Sequence, residues 1–335
     1  MADAREHPGH WSTGIAGLIC LCVLAVAFLW HISVGAKEIP FAVIVEALFT
    51  YNRDQFDHIV VHEIRLPRAL MAVFVGAGLA VAGALMQGVT RNPLADPGLL
   101  GLMAGATFAV VVASLFSVPD FSMIPLIAAA GALIAAVFVW LVASAVRGGA
   151  TPMSMVLAGA AMSAFLGALT TALLLIDQQS FEQLRVWMTG TLTVRPRGIA
   201  LWSYGWLCVG LLIALAIARQ VTTLAMGDET ATGLGVNIRR LRIAVLSAVV
   251  LLTAASVSLV GPMGFVGLVT PHFVRLIVGF DYRWVIPGSA LAGAVFLLLT
   301  DIVARTVLAP VEISTGLVTA FIGAPVLVWL VKTRL

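Results

Sequence analysis

The sequence predicts an all-α integral membrane protein of about ten transmembrane helices, and three observations lead there. Hydrophobic residues make up 61% of the 335-residue chain and charged residues only 10%, with a mean hydropathy of +1.07, whereas a soluble domain carries roughly 25% charged residues. The apolar residues come in continuous runs, each near the ~20 residues a helix needs to cross the hydrocarbon core. These runs also lack the alternating ~10-residue pattern of a membrane β-barrel strand. The net charge of +3 is dispersed, so no basic stripe suggests nucleic acid as a partner.

In chain order the spans are expected at 14–34, 66–88, 98–118, 122–146, 152–176, 199–219, 243–261, 263–279 (short and broken), 284–306 and 313–331. The polar stretch MADAREHPGHWSTG leads into a first apolar run without a small-residue cleavage site, so that run reads as a retained helix. Segment 35–64 is amphipathic and acidic and is placed at one surface, with 177–198 on the same side and 220–242 opposite. Residues 1–335 are read as a single transmembrane domain, with 220–242 a distinct segment within it.

Orientation follows from Lys and Arg in the short loops. With the N-terminus inside, Arg5, Arg91, Arg147, Arg219, Arg239, Arg240, Arg242, Arg275, Arg283, Lys332 and Arg334 fall on the inner side. The other eight of the 19 fall outside, among them Lys37, Arg65, Arg68 and Arg305. Both termini are then inside.

The breaks inside the apolar runs carry more information than the runs. VGAGLAVAGALMQ sets Gly76, Ala80 and Ala84 four apart, a small-residue face on which helix backbones approach closely in lipid. RNPLADP follows, and its prolines interrupt the helix ladder. The carbonyls so freed need partners inside protein or water. Gly83, Pro93 and Gly101 recur as Gly261, Pro271 and Gly279, each shifted by 178 positions, and AFLGA (164–168) recurs as AFIGA (320–324). Spans two to five and seven to ten thus read as two copies facing opposite ways, the inverted-repeat design of many transporters.

Other candidates lead nowhere by themselves. His272 has no second ligand at helical spacing, so no metal site is expected. Cys20, Cys22 and Cys208 read as small buried thiols. No GxxxxGK[ST] loop is present, so ATP hydrolysis is not expected on this chain. Asp301 is the one carboxylate well inside a span, with Arg305 four residues on as a natural partner. A secondary transporter would show more such carboxylates, and an intramembrane enzyme would need a nucleophile and a base that His272 alone does not supply.

RLPRALMAVFVGAGLAVAGALMQGVTRNPLADPGLLGLMAGA (65–106) and the block 261–331 beginning GPMGFVGLVTPHFVRLIVGF resemble the FecCD family, the permeases of bacterial ABC importers for ferric siderophores, haem and vitamin B12. The resemblance implies a ten-helix permease in the bacterial inner membrane, working as a dimer with an identical or paralogous copy. It also implies cytoplasmic ATPase subunits holding ATP and Mg, an extracytoplasmic substrate-binding protein, and no cofactor on this chain. By resemblance, Arg65 and Arg68 of RLPR and Arg305 of DIVARTVL receive carboxylates of the binding protein. MGDETATGLGVN (226–237) resembles the coupling segment, two short helices seated in the ATPase, which implicates Gly227, Asp228, Glu229, Ala231, Leu234 and Gly235. Here Thr232 and Gly233 stand where the family often has a basic residue. The pathway is expected along spans five and ten, with Ser163, Thr170 and Thr171 as a mildly polar wall. RVWMTGTL (185–192) is similar to a stretch of siderophore permeases and directs the cargo expectation to a ferric siderophore, with haem or vitamin B12 as alternatives.

Overall fold

A computed structural model describes residues 10–35, 39–116, 123–146, 151–176 and 184–334. Arg5, Lys37, Arg147 and residues 177–183, used above in assigning sides, lie outside the described residues. The described chain is helical, without strands. Its helices are α1 (His10–Ser33), α2 (Phe41–Phe49), α3 (Phe56–Val60), α4 (Leu66–Thr90), α5 (Leu102–Leu115), α6 (Ile124–Ala145), α7 (Pro152–Ile176), α8 (Arg197–Ala225), α9 (Asp228–Gly233), α10 (Ile238–Val260), α11 (Val266–Val278), α12 (Tyr282–Thr306) and α13 (Thr315–Arg334). Six segments are long and apolar enough to cross a membrane, and α1, α5, α11 and α13 contribute four shorter apolar stretches. Together these ten coincide with the expected spans. The surface helices α2 and α3 bury one face, Ile44, Ala47 and His58 being buried, while Phe49 and Phe56 are exposed. A wide turn over Val61–Arg65 joins α3 to α4.

Helix α4 is the axis of the bundle. From Val75 to Gly88 every residue is buried, because small side chains let neighbouring helices reach its backbone. A Cβ at Gly76 would land on the carbonyl of Gly293 in α12, and one at Gly83 on the carbonyl of Gly267 in α11. The face Gly76–Ala80–Ala84 is thus a helix–helix contact, as its spacing predicts.

The inverted repeat is visible in the packing. Helices α5, α6 and α7 pack together, as do α11, α12 and α13. The first helix of each unit leaves its own group: α4 packs on α12 and α11, and α10 packs reciprocally on α6 and α5. Helices α4 and α10 run antiparallel, since Gly78 faces Ser256 near one end and Met86 neighbours Val245 near the other. AFLGA and AFIGA lie on α7 and α13, the fourth helices of the two units.

The residue register of the repeat differs from the 178-position shift. Gly83 is in the middle of α4, whereas Gly261 ends α10 at φ 79°. Pro93 lies in a break, whereas Pro271 lies inside α11. Each unit nonetheless has one break edged by left-handed residues, Arg91 and Gly101 in the first, Gly261 and Phe265 in the second. The two breaks differ in length, so a single offset cannot align both sides of them. In the first, Asn92 Oδ1 accepts from Leu94 N at 2.9 Å and Asp96 Oδ1 from Gly98 N at 2.7 Å, giving freed backbone donors local partners.

The cysteines are not core thiols. Cys20 is half-buried, and Cys22 and Cys208 are exposed on the apolar flanks of α1 and α8. An apolar run marks a span without saying which of its faces meets other helices.

Candidate functional site

The described bundle has two polar ends. At the first, the C-terminus of α1 meets the N-terminus of α4 and the C-terminus of α12. A helix ends with carbonyls lacking helical partners, and two arginines from distant helices supply them for α1. Arg65 Nη1 donates to the carbonyls of Ile32 and Ser33, both at 2.7 Å. Arg305 donates from Nη1 to the carbonyl of Val34 at 2.9 Å and from Nη2 to that of His31 at 3.0 Å. Cations are favoured at this negative end of the helix dipole.

Asp301, fully buried, anchors the rest. It accepts from Arg68 Nε at 2.9 Å and Nη2 at 3.0 Å, and from Thr315 Oγ1 at 2.7 Å. His31 Nε2 lies 2.8 Å from its Oδ2, and Arg305 Nε is 3.2 Å away. The fork of Arg68 fits a carboxylate bidentately, and its third nitrogen donates to Glu312 at 2.8 Å. The expected Asp301–Arg305 pair is present within a larger cluster.

Of the three arginines expected to receive an outside carboxylate, Arg65 and Arg305 are the more buried in this chain. They are 4% and 5% exposed, with guanidiniums bonded to the α1 terminus. The Arg68 side chain is 15% exposed.

At the other end, α8 runs into the connection 226–237. Gly227 takes φ 133°, a backbone that L side chains rarely adopt, and turns the chain into α9. Gly235, at φ 80°, turns it back towards α10. Ala231, on the inner face of α9, is fully buried, while Met226, at 68% exposure, and Leu234, at 65%, flank the exposed Glu229. Asp228 pairs with Arg91 from the α4 break and with Arg242 of α10, the latter at 2.8 Å. Nearby, Asp281 accepts from Thr222 Oγ1 at 3.2 Å and from Arg283 Nε at 2.8 Å. The Arg283 guanidinium holds the Asp281 carboxyl below its usual range. The connection differs in one respect from expectation: it holds a single short helix, because Asn237 already caps α10 by accepting from Arg240 N at 3.0 Å.

On α7, Thr170 and Thr171 donate to the carbonyls of Leu166 and Gly167, four residues back, at 2.7 and 3.0 Å. Ser163 is half-buried and Thr170 buried, while Thr171 is exposed. Only 11% of the α7 span is buried, so a broad face of this helix is unpartnered among the described residues. His272 Nδ1 lies 2.9 Å from the carbonyl of Leu268, and among the described residues no cluster of metal-ligating groups occurs.

The stretch 185–192 occupies a place that its sequence does not suggest. Its first residues belong to a helical turn at 184–188, and the rest enter the bundle as a non-helical clamp. Thr191 N donates to the carbonyl of Val260 at 2.8 Å, and Gly316 N to that of Gly190 at 2.9 Å. Gly190 adopts φ 77° against Pro262, and Trp187 is buried. The segment thus ties the break after α10 to the start of α13.

Sequence reading missed His31, Thr315 and Glu312 around Asp301, and Arg91 and Arg242 around Asp228. A lone histidine at a span end and two arginines at helix edges were the available signals. Partners 270 and 233 positions apart, as for Asp301 with His31 and Arg68, leave no local pattern.

The model of the FecCD transport family matches residues 23–333. The chain belongs to the FecCD transport family. Among FecCD relatives, the ferric enterobactin transport system permease protein FepD of Escherichia coli is 39% identical, covering 96% of this chain and 95% of its own. The probable siderophore transport system permease protein YfiZ of Bacillus subtilis is 37% identical, over 94% and 95%. The hemin transport system permease protein HmuU of Yersinia pestis is 39% identical over 93% of each chain. A metal-chelate type ABC transporter, solved in an inward-facing conformation, superposes with a TM-score of 0.82 at 26% identity, over 96% of this chain and 99% of that one. Like them, this FecCD chain is a multi-pass membrane protein.

Proposed function

We propose that the chain is the permease subunit of a binding-protein-dependent ABC importer that moves a ferric siderophore across the bacterial inner membrane. The observation that carries this reading is near full-length similarity, at 37–39% identity, to permeases named for siderophore systems. Haem import is the second reading, favoured by equal identity to a hemin permease.

The geometry fits the division of labour. ATP and Mg belong to a separate ATPase subunit, which seats on the exposed ledge formed by Met226, Glu229 and Leu234. Gly227 and Gly235 aim that ledge, and Asp228 carries its movement to α4 and α10 through Arg91 and Arg242. This end is cytoplasmic and both termini lie with it. The Asp301 end is extracytoplasmic and receives the soluble binding protein, with Arg68 and Glu312 as its surface members. The open face of α7 meets a second permease copy or paralogue, and Ser163, Thr170 and Thr171 lie along the shared pathway.

The test is uptake of radio-iron from a panel of ferric siderophores and of haem, in bacteria with and without this chain. Uptake that depends on the chain and stops when ATP is depleted with the proton gradient intact supports the reading. Uptake that survives ATP depletion overturns it. Gly227→Leu places a branched side chain at a strained backbone position and should leave ATP hydrolysis while abolishing transport. Normal uptake by that variant removes the coupling role.

A further inference from the structure

Helices α6 and α8 both pack on α10, and between them lies a groove of about 240 Å³ with α10 as its floor. Its lining runs from Leu126 to Leu133 on α6, from Ile199 to Trp206 on α8 and from Leu251 to Ser258 on α10. Each stretch is about two turns, roughly 10 Å of helix, against the ~30 Å of the hydrocarbon core. The stretches belong to the start of α6, the start of α8 and the end of α10. Because α10 runs antiparallel to α4, the groove lies in the half of the bundle nearer the Asp301 end.

The groove offers a ligand carbon and almost nothing polar. Its two hydroxyls satisfy each other: the Ser258 proton goes to the carbonyl of Ala255 at 2.7 Å, and Ser203 Oγ donates to Ser258 Oγ at 3.0 Å. Trp202, at 68% exposure, and Trp206, at 47%, stand on the α8 side. A cation sits at the end of the groove. Arg195, half-buried just before α8, donates from Nε to the carbonyl of Leu259 at 2.8 Å, beside Ser258. Burial disfavours its charge, and no carboxylate among the described residues offsets it. Its Nη1 and Nη2 donate to no described residue. Arg197, two positions on, is already paired with Glu63.

We propose that this groove holds one acyl chain of an anionic phospholipid, from the leaflet at the Asp301 end, with the lipid phosphate on Arg195. A guanidinium fork matches phosphate oxygens bidentately, and an uncompensated cation favours a headgroup of net negative charge over a zwitterion. Indole rings such as those of Trp202 and Trp206 suit the headgroup end of a leaflet. The volume is below the roughly 300–1,000 Å³ of sites for compact small molecules, and it suits part of a flexible chain whose remainder stays in the bilayer. A lipid there would wedge α6, of the first inverted unit, against α8 and α10. The inference needs the chain to span a membrane and is independent of what it transports.

The full chain in phosphatidylcholine nanodiscs, doped with lipid brominated on its acyl chains, tests this, because bromine quenches tryptophan fluorescence on contact. Brominated phosphatidylglycerol should quench Trp202 and Trp206 at about one fifth of the fraction that brominated phosphatidylcholine needs, the preference expected of one basic residue for an anionic headgroup. That preference should vanish in Arg195→Gln and also in Ala129→Phe, which fills the groove and leaves the charge in place. It should drop out of the signal when Trp202 and Trp206 are both changed to phenylalanine. The melting temperature in detergent shows which variants fold, and either of the first two is sufficient. Equal quenching by the two lipids in the parent overturns the proposal, as does a preference that persists in a folded Arg195→Gln or Ala129→Phe. Quenching confined to the other tryptophans overturns it too, since protein then covers the groove.

Discussion

The two polar ends use the same chemistry, an aspartate between arginines, in opposite surroundings. Asp301 is fully buried and held by residues of four helices, with charged or imidazole partners in α1, α4 and α12 and a hydroxyl from α13. Asp228 is 41% exposed, on a helix of six residues between two glycines of positive φ. A buried charge cannot lose a partner without leaving another uncompensated, so the first cluster is a fixed strut. An exposed pair is weak and easily remade, which suits a part that is pushed and released.

Removing the two carboxylates should separate these roles most sharply. Asp301→Asn removes the buried anion between Arg68 and Arg305, and breaking such a buried set costs about 3–5 kcal/mol. We expect a strongly lowered melting temperature in detergent and little folded chain in membranes. A variant as stable as the parent would refute the strut.

The next effect tests whether the rigidity around α4 comes from close backbone contact as well as charge. Gly83→Ala drives a methyl onto the Gly267 carbonyl, and overpacking of this kind costs about 1–3 kcal/mol. Gly233→Ala, where a Cβ meets nothing within 4 Å, is the control and should leave melting unchanged.

Asp228→Asn should cost less than about 1 kcal/mol in stability while lowering transport per ATP hydrolysed. Raising salt should mimic it in part, because exposed pairs are screened and buried ones are not. Full coupling in Asp228→Asn would erase the contrast between the ends.

The smallest effect concerns Asp281, at the same end as Asp228. Its carboxyl is held below the ordinary value of 3.8 by Arg283, so the native state favours its ionised form. That stabilisation is present above 3.8 and is lost as pH falls through the depressed native value. The melting difference between parent and Asp281→Asn should therefore be constant near neutrality and vanish in acid. A difference that grows on acidification contradicts the assignment.

Much of the architecture was legible beforehand, and the reasons are specific. Apolar runs mark spans because the bilayer demands continuous burial over a fixed length. The breaks at 91–101 and 261–265 showed through Gly and Pro, whose backbone limits are intrinsic to those residues. The small-residue face of α4 announced a close contact, without naming α12 and α11 as what it touches. Arg65, Arg68 and Arg305 were recognisable as special, but that Arg65 and Arg305 cap α1 was not legible, because a guanidinium reads the same whether it faces a partner protein or a helix end.

By itself the sequence determined that this is a multi-pass helical protein, where its chain breaks, that it carries two units of opposite sense, and its family. Those features are local, set by composition, spacing and backbone chemistry. Tertiary structure alone decided that Asp301 binds residues from four helices, that the segment 185–192 ties the break after α10 to the start of α13, and that little of α7 is buried among the described residues. These depend on which faces meet in a bundle where no hydrophobic force ranks one helix pair above another. There, a few close backbone contacts and buried charges select the arrangement, and their partners stand hundreds of residues apart.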